Sequence, residues 1–245
     1  MATGAIEAKL AELRKQIKRE WRARVKPRTR TRKRVRKFEL GTAVRAIAKV
    51  VVIVALPFLV HVRLSVYLYK QSVPTWLAIV LAAMFTAGIV TVYAIWLSRK
   101  FVGAARATTV VNWIALPLVA AWTVYSTFYL ARVNAKTDAV RDYYSAVHPI
   151  LRVALSTVIL VDGDLVITDT RRRADDYARM GLPVNERTYH YQLADGWVHA
   201  VDLRTIGRSE IKNRMVQLYF WTMGFSTLRH VGTADHLHVQ LRLPT

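Results

Sequence analysis

The strongest constraint in this sequence is a block of three apolar segments in its first half, from about Ala43 to Tyr67, Pro74 to Leu97 and Thr108 to Leu130. Each approaches the roughly twenty residues needed to cross the hydrocarbon core of a bilayer as a helix. Such segments must satisfy their backbone internally, which predicts a region of three transmembrane helices over residues 42–132. Composition agrees, because the 245 residues are 53% hydrophobic and yet carry a formal net charge of +21. Apolar and basic stretches must therefore be segregated along the chain. His61 and Arg63, late in the first segment, are expected near the outer headgroups, where arginine can snorkel. Pro57 and Pro117 are expected to kink their helices or leave a carbonyl free. Tyr67, Tyr69, Trp76, Trp96 and Tyr129, near segment ends, read as interfacial belts.

Residues 1–41 form a basic front piece. Ile6, Leu10, Leu13, Ile17 and Trp21 recur at helical spacing, so Met1 to about Arg24 reads as an amphipathic helix whose stripe seeks a bilayer interface or a groove on a partner. Arg22 to Lys37 contains no acid. A run of this kind can bind nucleic acid, but its place directly before an apolar segment favours a topology anchor on the anionic lipids of the cytoplasmic leaflet. Basic residues crowd the front piece and the loop from Arg99 to Arg106, whereas the connection from Lys70 to Thr75 holds a single lysine. The positive-inside rule then places the N-terminus in the cytoplasm and, after an odd number of spans, the C-terminal domain outside.

Residues 133–245 read as a small α+β domain. Arg132 to about Ser156 is expected to form a linker helix and a packing helix. Val158–Val161 and Leu165–Ile167 flank Asp162-Gly163-Asp164, a hairpin signal. Ser209 to Met223 reads as a helix ended by Gly224. The chemistry sits in Asp235-His236-Leu237-His238. On an extended backbone His236 and His238 share one face, and Asp235 and Leu237 take the other unless a bulge intervenes. Upstream, His190, His199 and Asp202 add imidazoles and a carboxylate in an apolar run. With no cysteine in the chain, any metal site must use His and Asp or Glu. A zinc hydrolase needs three such ligands with one position left for water, a base, and a cation for the developing oxyanion.

These motifs resemble the zinc D-Ala-D-Ala carboxypeptidase and L,D-endopeptidase family that cuts peptidoglycan stem peptides, phage endolysins among them. Thr168-Asp169-Thr170-Arg171 sits where the family carries an arginine turn, and Asp175 to Gly181 where it carries a short helix. His190…Ala200-Val201-Asp202 matches in part its first ligand motif, and Asp235-His236-Leu237-His238 its closing acid-x-x-His motif. The resemblance implies zinc held by His190, Asp202 and His238, Asp235 as general base, Arg171 on the carbonyl or oxyanion, and His236 as a supporting or auxiliary base. His190 lies further before Asp202 than the family pattern has it, so residues around Gln192 to Gly196 must loop out. His199 is the competing ligand, but strand alternation turns it away from Asp202.

The leading expectation is a membrane-anchored, outward-facing zinc peptidase-like protein of a bacterial inner membrane, with its domain in the periplasm. The other is a non-catalytic accessory subunit of a large respiratory or photosynthetic membrane complex, in which the domain serves for docking. A transporter is set aside, because three spans without internal repeats make a poor conduit.

Overall fold

The computed structural model describes residues 2–24, 40–101, 103, 106–179, 181, 183–232 and 235–244. The basic run from residue 25 to Lys37 lies outside the described residues, as do Met180 and Ala234. The chain divides into two compact units, Met1–Ile47 and Ala48–Thr245. In the first, helix α1 (Ala2–Arg24) carries Leu10, Leu13, Ile17 and Trp21 exposed along one stripe.

Among the described residues three helices are long and apolar enough to cross a membrane, Ala43–Lys70 within α2 (Leu40–Lys70), α3 (Thr75–Phe101) and the stretch Ala107–Phe128. The last is composite, with α4 (Ala107–Val110), a π-helical turn (Val111–Ala115) and α5 (Leu116–Phe128). Pro117 has no N–H for the carbonyl four residues back, and the wider π turn just before it absorbs that break. Pro57 lies inside α2, which continues through it.

After α5 the chain makes a 3₁₀ turn (Arg132–Asn134), the short α6 (Asp138–Asp142) and a second 3₁₀ turn (Tyr143–Ala146), in place of the expected linker helix. Helix α7 (Pro149–Val161) follows, capped by the His148 side chain and started by Pro149. Val158–Val161 is thus the last turn of α7, not the first strand of a hairpin. A short run of β-branched residues suits either state, and here burial of every side chain from Pro149 to Val158 settles on the helix. Asp162-Gly163-Asp164 turns the chain toward β1 (Ile167–Asp169).

Next come α8 (Ala174–Arg179), β2 (Ala200–Arg204), α9 (Glu210–Met223), β3 (Ser226–His230) and β4 (His236–Gln240). Ser209 caps α9, and Gly224 ends it in the left-handed conformation (φ 98°), as the sequence predicts. The strands form one antiparallel sheet in the order β1-β2-β4-β3. Its inner face, Val201, Leu203, Leu237 and Val239, packs with Leu151 and Leu155 of α7 and Val216 and Phe220 of α9. That core also takes in Val62, Val66 and Tyr69 of α2 and Ala78 and Ile79 of α3. The ends of two membrane-length helices therefore share a core with the C-terminal domain, across the boundary expected near residue 132.

Candidate metal centre

Strand alternation and register build the centre. Asp202 pairs with His238 across β2 and β4, and His236 pairs with His230 across β4 and β3. Because Val201, Leu203, Leu237 and Val239 point into the core, Asp202, His236 and His238 point out of the other face into a cleft of about 580 Å³. The expected shared face of His236 and His238 is present.

His190 reaches the same cleft from the loop before β2. The segment after it closes on itself, with Leu193 N donating to Trp197 O at 2.9 Å and Gly196 in a left-handed conformation (φ 84°). His199 N then donates to Tyr189 O at 2.9 Å, which sets His190 beside Asp202 despite the long spacing. His199 itself faces away from the cleft.

Hydrogen bonding orients the two cleft imidazoles. A backbone carbonyl only accepts, so His190 Nδ1–H donates to Thr170 O at 2.7 Å and Nε2 is the nitrogen turned toward Asp202. His238 Nε2 lies 3.2 Å from Gln240 Oε1, which turns Nδ1 toward Asp202. These two nitrogens are 3.2 Å apart, and they lie 3.2 and 2.9 Å from the same oxygen, Asp202 Oδ1. Three electron-rich atoms at this separation repel one another unless a proton or a cation lies between them. Tetrahedral ligands at about 2.0–2.1 Å from zinc are about 3.3 Å apart, so the donor set fits a small divalent ion. Both imidazoles are steered through their second nitrogen, the usual arrangement for metal-ligating histidine.

Asp202 is the electrostatic hub. Burial alone would raise its pKa, but hydrogen bonds from His190 and His238 and the charges of His190 and His236 hold it far below the usual carboxylate range. Burial likewise opposes the charged form of His238, yet its hydrogen bond to Asp202 and the carboxylate charge raise its pKa overall. Arg172 bridges Asp202 Oδ2 at 3.2 Å and Asp169 Oδ2 at 2.6 Å, and it lines the cleft.

Arg171, the arginine implied by the resemblance, instead donates to Gln192 Oε1 at 2.5 Å and is not among the cleft residues. Asp235 is also placed differently from its implied role as base. Arg229 Nε and Nη2 hold its two oxygens at 2.6 and 2.8 Å, and Thr205 Oγ1 donates to Oδ1 at 2.7 Å. These hydrogen bonds lower its pKa to about 2. His236 lies in the cleft, with Nε2 3.7 Å from Asp202 Oδ2 and its ring stacked on His230 at 4.6 Å. His230, Arg172 and Arg242 are cleft residues that the sequence motifs did not single out. Gly232, at positive φ between β3 and β4, is a sequence cue to the pairing of His230 with His236.

A second cluster, His148, Asp195 and His199, lies behind the sheet, its ligand-type atoms within 4.8 Å of one another. Here the hydrogen bonds of His148 oppose a metal. His148 Nδ1 accepts from Ile150 N at 3.3 Å, so the Nε2–H faces Thr75 Oγ1 at 3.0 Å. The cluster is a latch joining the start of α7 to the start of α3. Burial, then His199 and Arg152, push the His148 pKa well below its ordinary value. Tyr69 and Trp197 complete its surroundings. The unfolded chain takes up a proton at His148 near pH 6.5 and the folded one does not. Stability from this group is therefore full above that pH and falls below it, by up to about 1.4 kcal/mol per pH unit. Thermal unfolding from pH 7.5 to 5.5 is expected to show a shallower loss in His148→Gln than in the unaltered chain, and equal slopes would contradict this assignment.

Compared with known proteins, the chain matches no family model, no curated protein and no solved structure.

Proposed function

We propose that this chain is a membrane-anchored, zinc-dependent peptidase whose C-terminal domain acts on peptidoglycan stem peptides at the outer side of a bacterial cytoplasmic membrane. The observation that carries this reading is the convergence of His190 Nε2, His238 Nδ1 and Asp202 Oδ1, with the other nitrogen of each imidazole held by a hydrogen bond. Two imidazoles and one carboxylate are a ligand set that leaves a coordination position for water or substrate, as catalytic rather than structural zinc sites do. Zinc bound there supplies Lewis acidity toward a carbonyl and acidifies water. The resemblance of the same residues to the zinc carboxypeptidase and endopeptidase family supplies the substrate class. The loop charges supply the orientation, with the N-terminus inside.

The residues around the metal site then take separate roles. His236, in the cleft with Nε2 3.7 Å from Asp202 Oδ2, is the group assigned to take a proton from water and return it to the leaving amine, and His230 stacks on it to hold its ring. Arg172, fixed by Asp169, and Arg242 present positive charge to carbonyl or carboxylate oxygens in the cleft. Arg229 and Thr205 keep Asp235 ionised and occupied, as a brace between β3 and β4.

The test is digestion of purified muropeptides by the full chain in detergent, followed by mass spectrometry. New free amines are expected, to be lost on chelation and restored by added zinc. Zinc-loaded protein that leaves every stem peptide intact would count against catalysis and favour the second reading, a metal-holding accessory subunit of a membrane complex. The occupied state of Asp235 is the observation that favours that alternative.

A further inference from the structure

Helix α9 is apolar on two opposite faces. Val216, Phe220 and Met223 are buried in the domain core, while Ile211, Met215, Leu218 and Trp221 lie along the other side at 73, 64, 57 and 66% exposure. Leu160 and Val161 at the end of α7, 56 and 87% exposed, extend this surface. A helix with apolar residues on both sides is stable when both are covered. A contiguous exposed apolar surface of this kind marks contact with another protein or with a membrane.

The flank of this surface identifies what covers it. Met215, Tyr219, Leu160 and Val161 form one wall of a groove of about 410 Å³, and Phe58 and Leu59 of α2 form the other. Further along, Met223 lines a cavity with Leu59, Val60, Leu64 and Tyr67 of α2 and Phe85 of α3. The C-terminal end of α9 is fastened to the same helix, since Arg63 Nη1 donates to Met223 O at 3.3 Å and Lys70 Nζ to Gly224 O at 2.6 Å. All of these α2 residues lie in the span Ala43–Lys70, which is long and apolar enough to cross a membrane. The exposed stripe of α9 is thus continuous with a membrane-length apolar surface. The charged groups beside it are paired within the protein: Arg214, which lies on the stripe itself, with Glu210 at 3.1 Å, and toward the N-terminal end Lys212 with Asp164 at 2.9 Å and Arg208 with Asp162. Paired charges lower the cost of lying against a low-dielectric phase.

We propose that the outward face of α9, with Leu160 and Val161, is seated among the acyl chains of the bilayer that α2 crosses. The C-terminal domain then lies on the membrane, attached through a face separate from its metal cleft, and is not held clear of it by a linker. This assignment rests on the membrane reading of α2 and is independent of zinc and of peptidase activity.

The chain contains no cysteine, so single-cysteine variants report one site each. Met215→Cys and Leu218→Cys are made in the full-length protein, with Val50→Cys on α2 as the lipid reference and Val231→Cys, 83% exposed and just after β3, as the water reference. Each is spin-labelled and reconstituted in vesicles of phosphatidylethanolamine and phosphatidylglycerol. Collision with apolar oxygen is compared with collision with a water-soluble nickel chelate. Labels at 215 and 218 are expected to favour oxygen, as at 50, while the label at 231 favours nickel. Nickel-favoured labels at 215 and 218 would overturn the proposal. So would labels shielded from both probes, which with dipolar broadening would identify a second copy of the chain and without it a protein partner. A nickel-favoured label at 50 would remove the membrane reading and the proposal together.

Discussion

A His236→Gln variant is expected to bind zinc like the unaltered chain and to hydrolyse stem peptides about 10²–10⁴-fold more slowly, the usual effect of removing a general acid–base group. The expectation follows from position. His236 is in the cleft, 3.7 Å from an oxygen of the proposed ligand Asp202, and it is not itself one of the three converging donors. Asp235 is the rival base, and the two assignments separate cleanly. Asp235→Asn is expected to weaken the bidentate ion pair with Arg229 and leave most of the turnover in place. Turnover lost in Asp235→Asn and kept in His236→Gln would return the role to Asp235, with Arg229 releasing it when substrate enters. The measurement is kcat on one muropeptide, with zinc content determined on the same samples.

Asp202→Asn has the second large effect, on stability. The carboxylate is 6% exposed and faces His190, His238, His236 and Arg172 at once. Removing one partner from a buried, hydrogen-bonded charge cluster costs about 3–5 kcal/mol, because the charges left behind lose their counterion. At about 2–4 °C per kcal/mol for a unit of this size, the Tm of the metal-free protein should fall by about 6–20 °C. Asp169 still holds Arg172, so the loss should lie toward the lower part of that range. A metal-free Tm unchanged by Asp202→Asn would mean that these groups do not interact in the folded protein.

What the sequence discloses follows from periodicity. Spans of membrane length are legible because they need only apolar residues over a fixed distance. The shared face of His236 and His238 is legible because a strand alternates, and the same rule turns His199 away from Asp202. The end of α9 at Gly224 is legible because a left-handed cap favours glycine. Where the chain is irregular these rules are silent. Thr170 to Arg173 has no repeating backbone, so nothing local tells which of Arg171 and Arg172 enters the cleft. The pairing of Asp235 with Arg229 depends on the β3–β4 register, a tertiary fact. Val158–Val161 carries strand-like residues in a helix because it continues α7, whose burial over Pro149–Val158, not local propensity, decides. The shared core of the membrane-length helices and the domain was hidden for a similar reason. Val62 and Val66 look like any lipid-facing residues until the core that takes them in is known.

The account turns on one claim, that His190, Asp202 and His238 hold a metal ion. Its most direct test is the zinc content of the full-length protein purified in detergent, beside an Asp202→Ala/His238→Ala variant that elutes at the same volume on gel filtration. One zinc per chain in the unaltered protein and none in the variant is the predicted result. An unaltered protein that takes up no zinc after reconstitution, or a variant that keeps it, would contradict the claim.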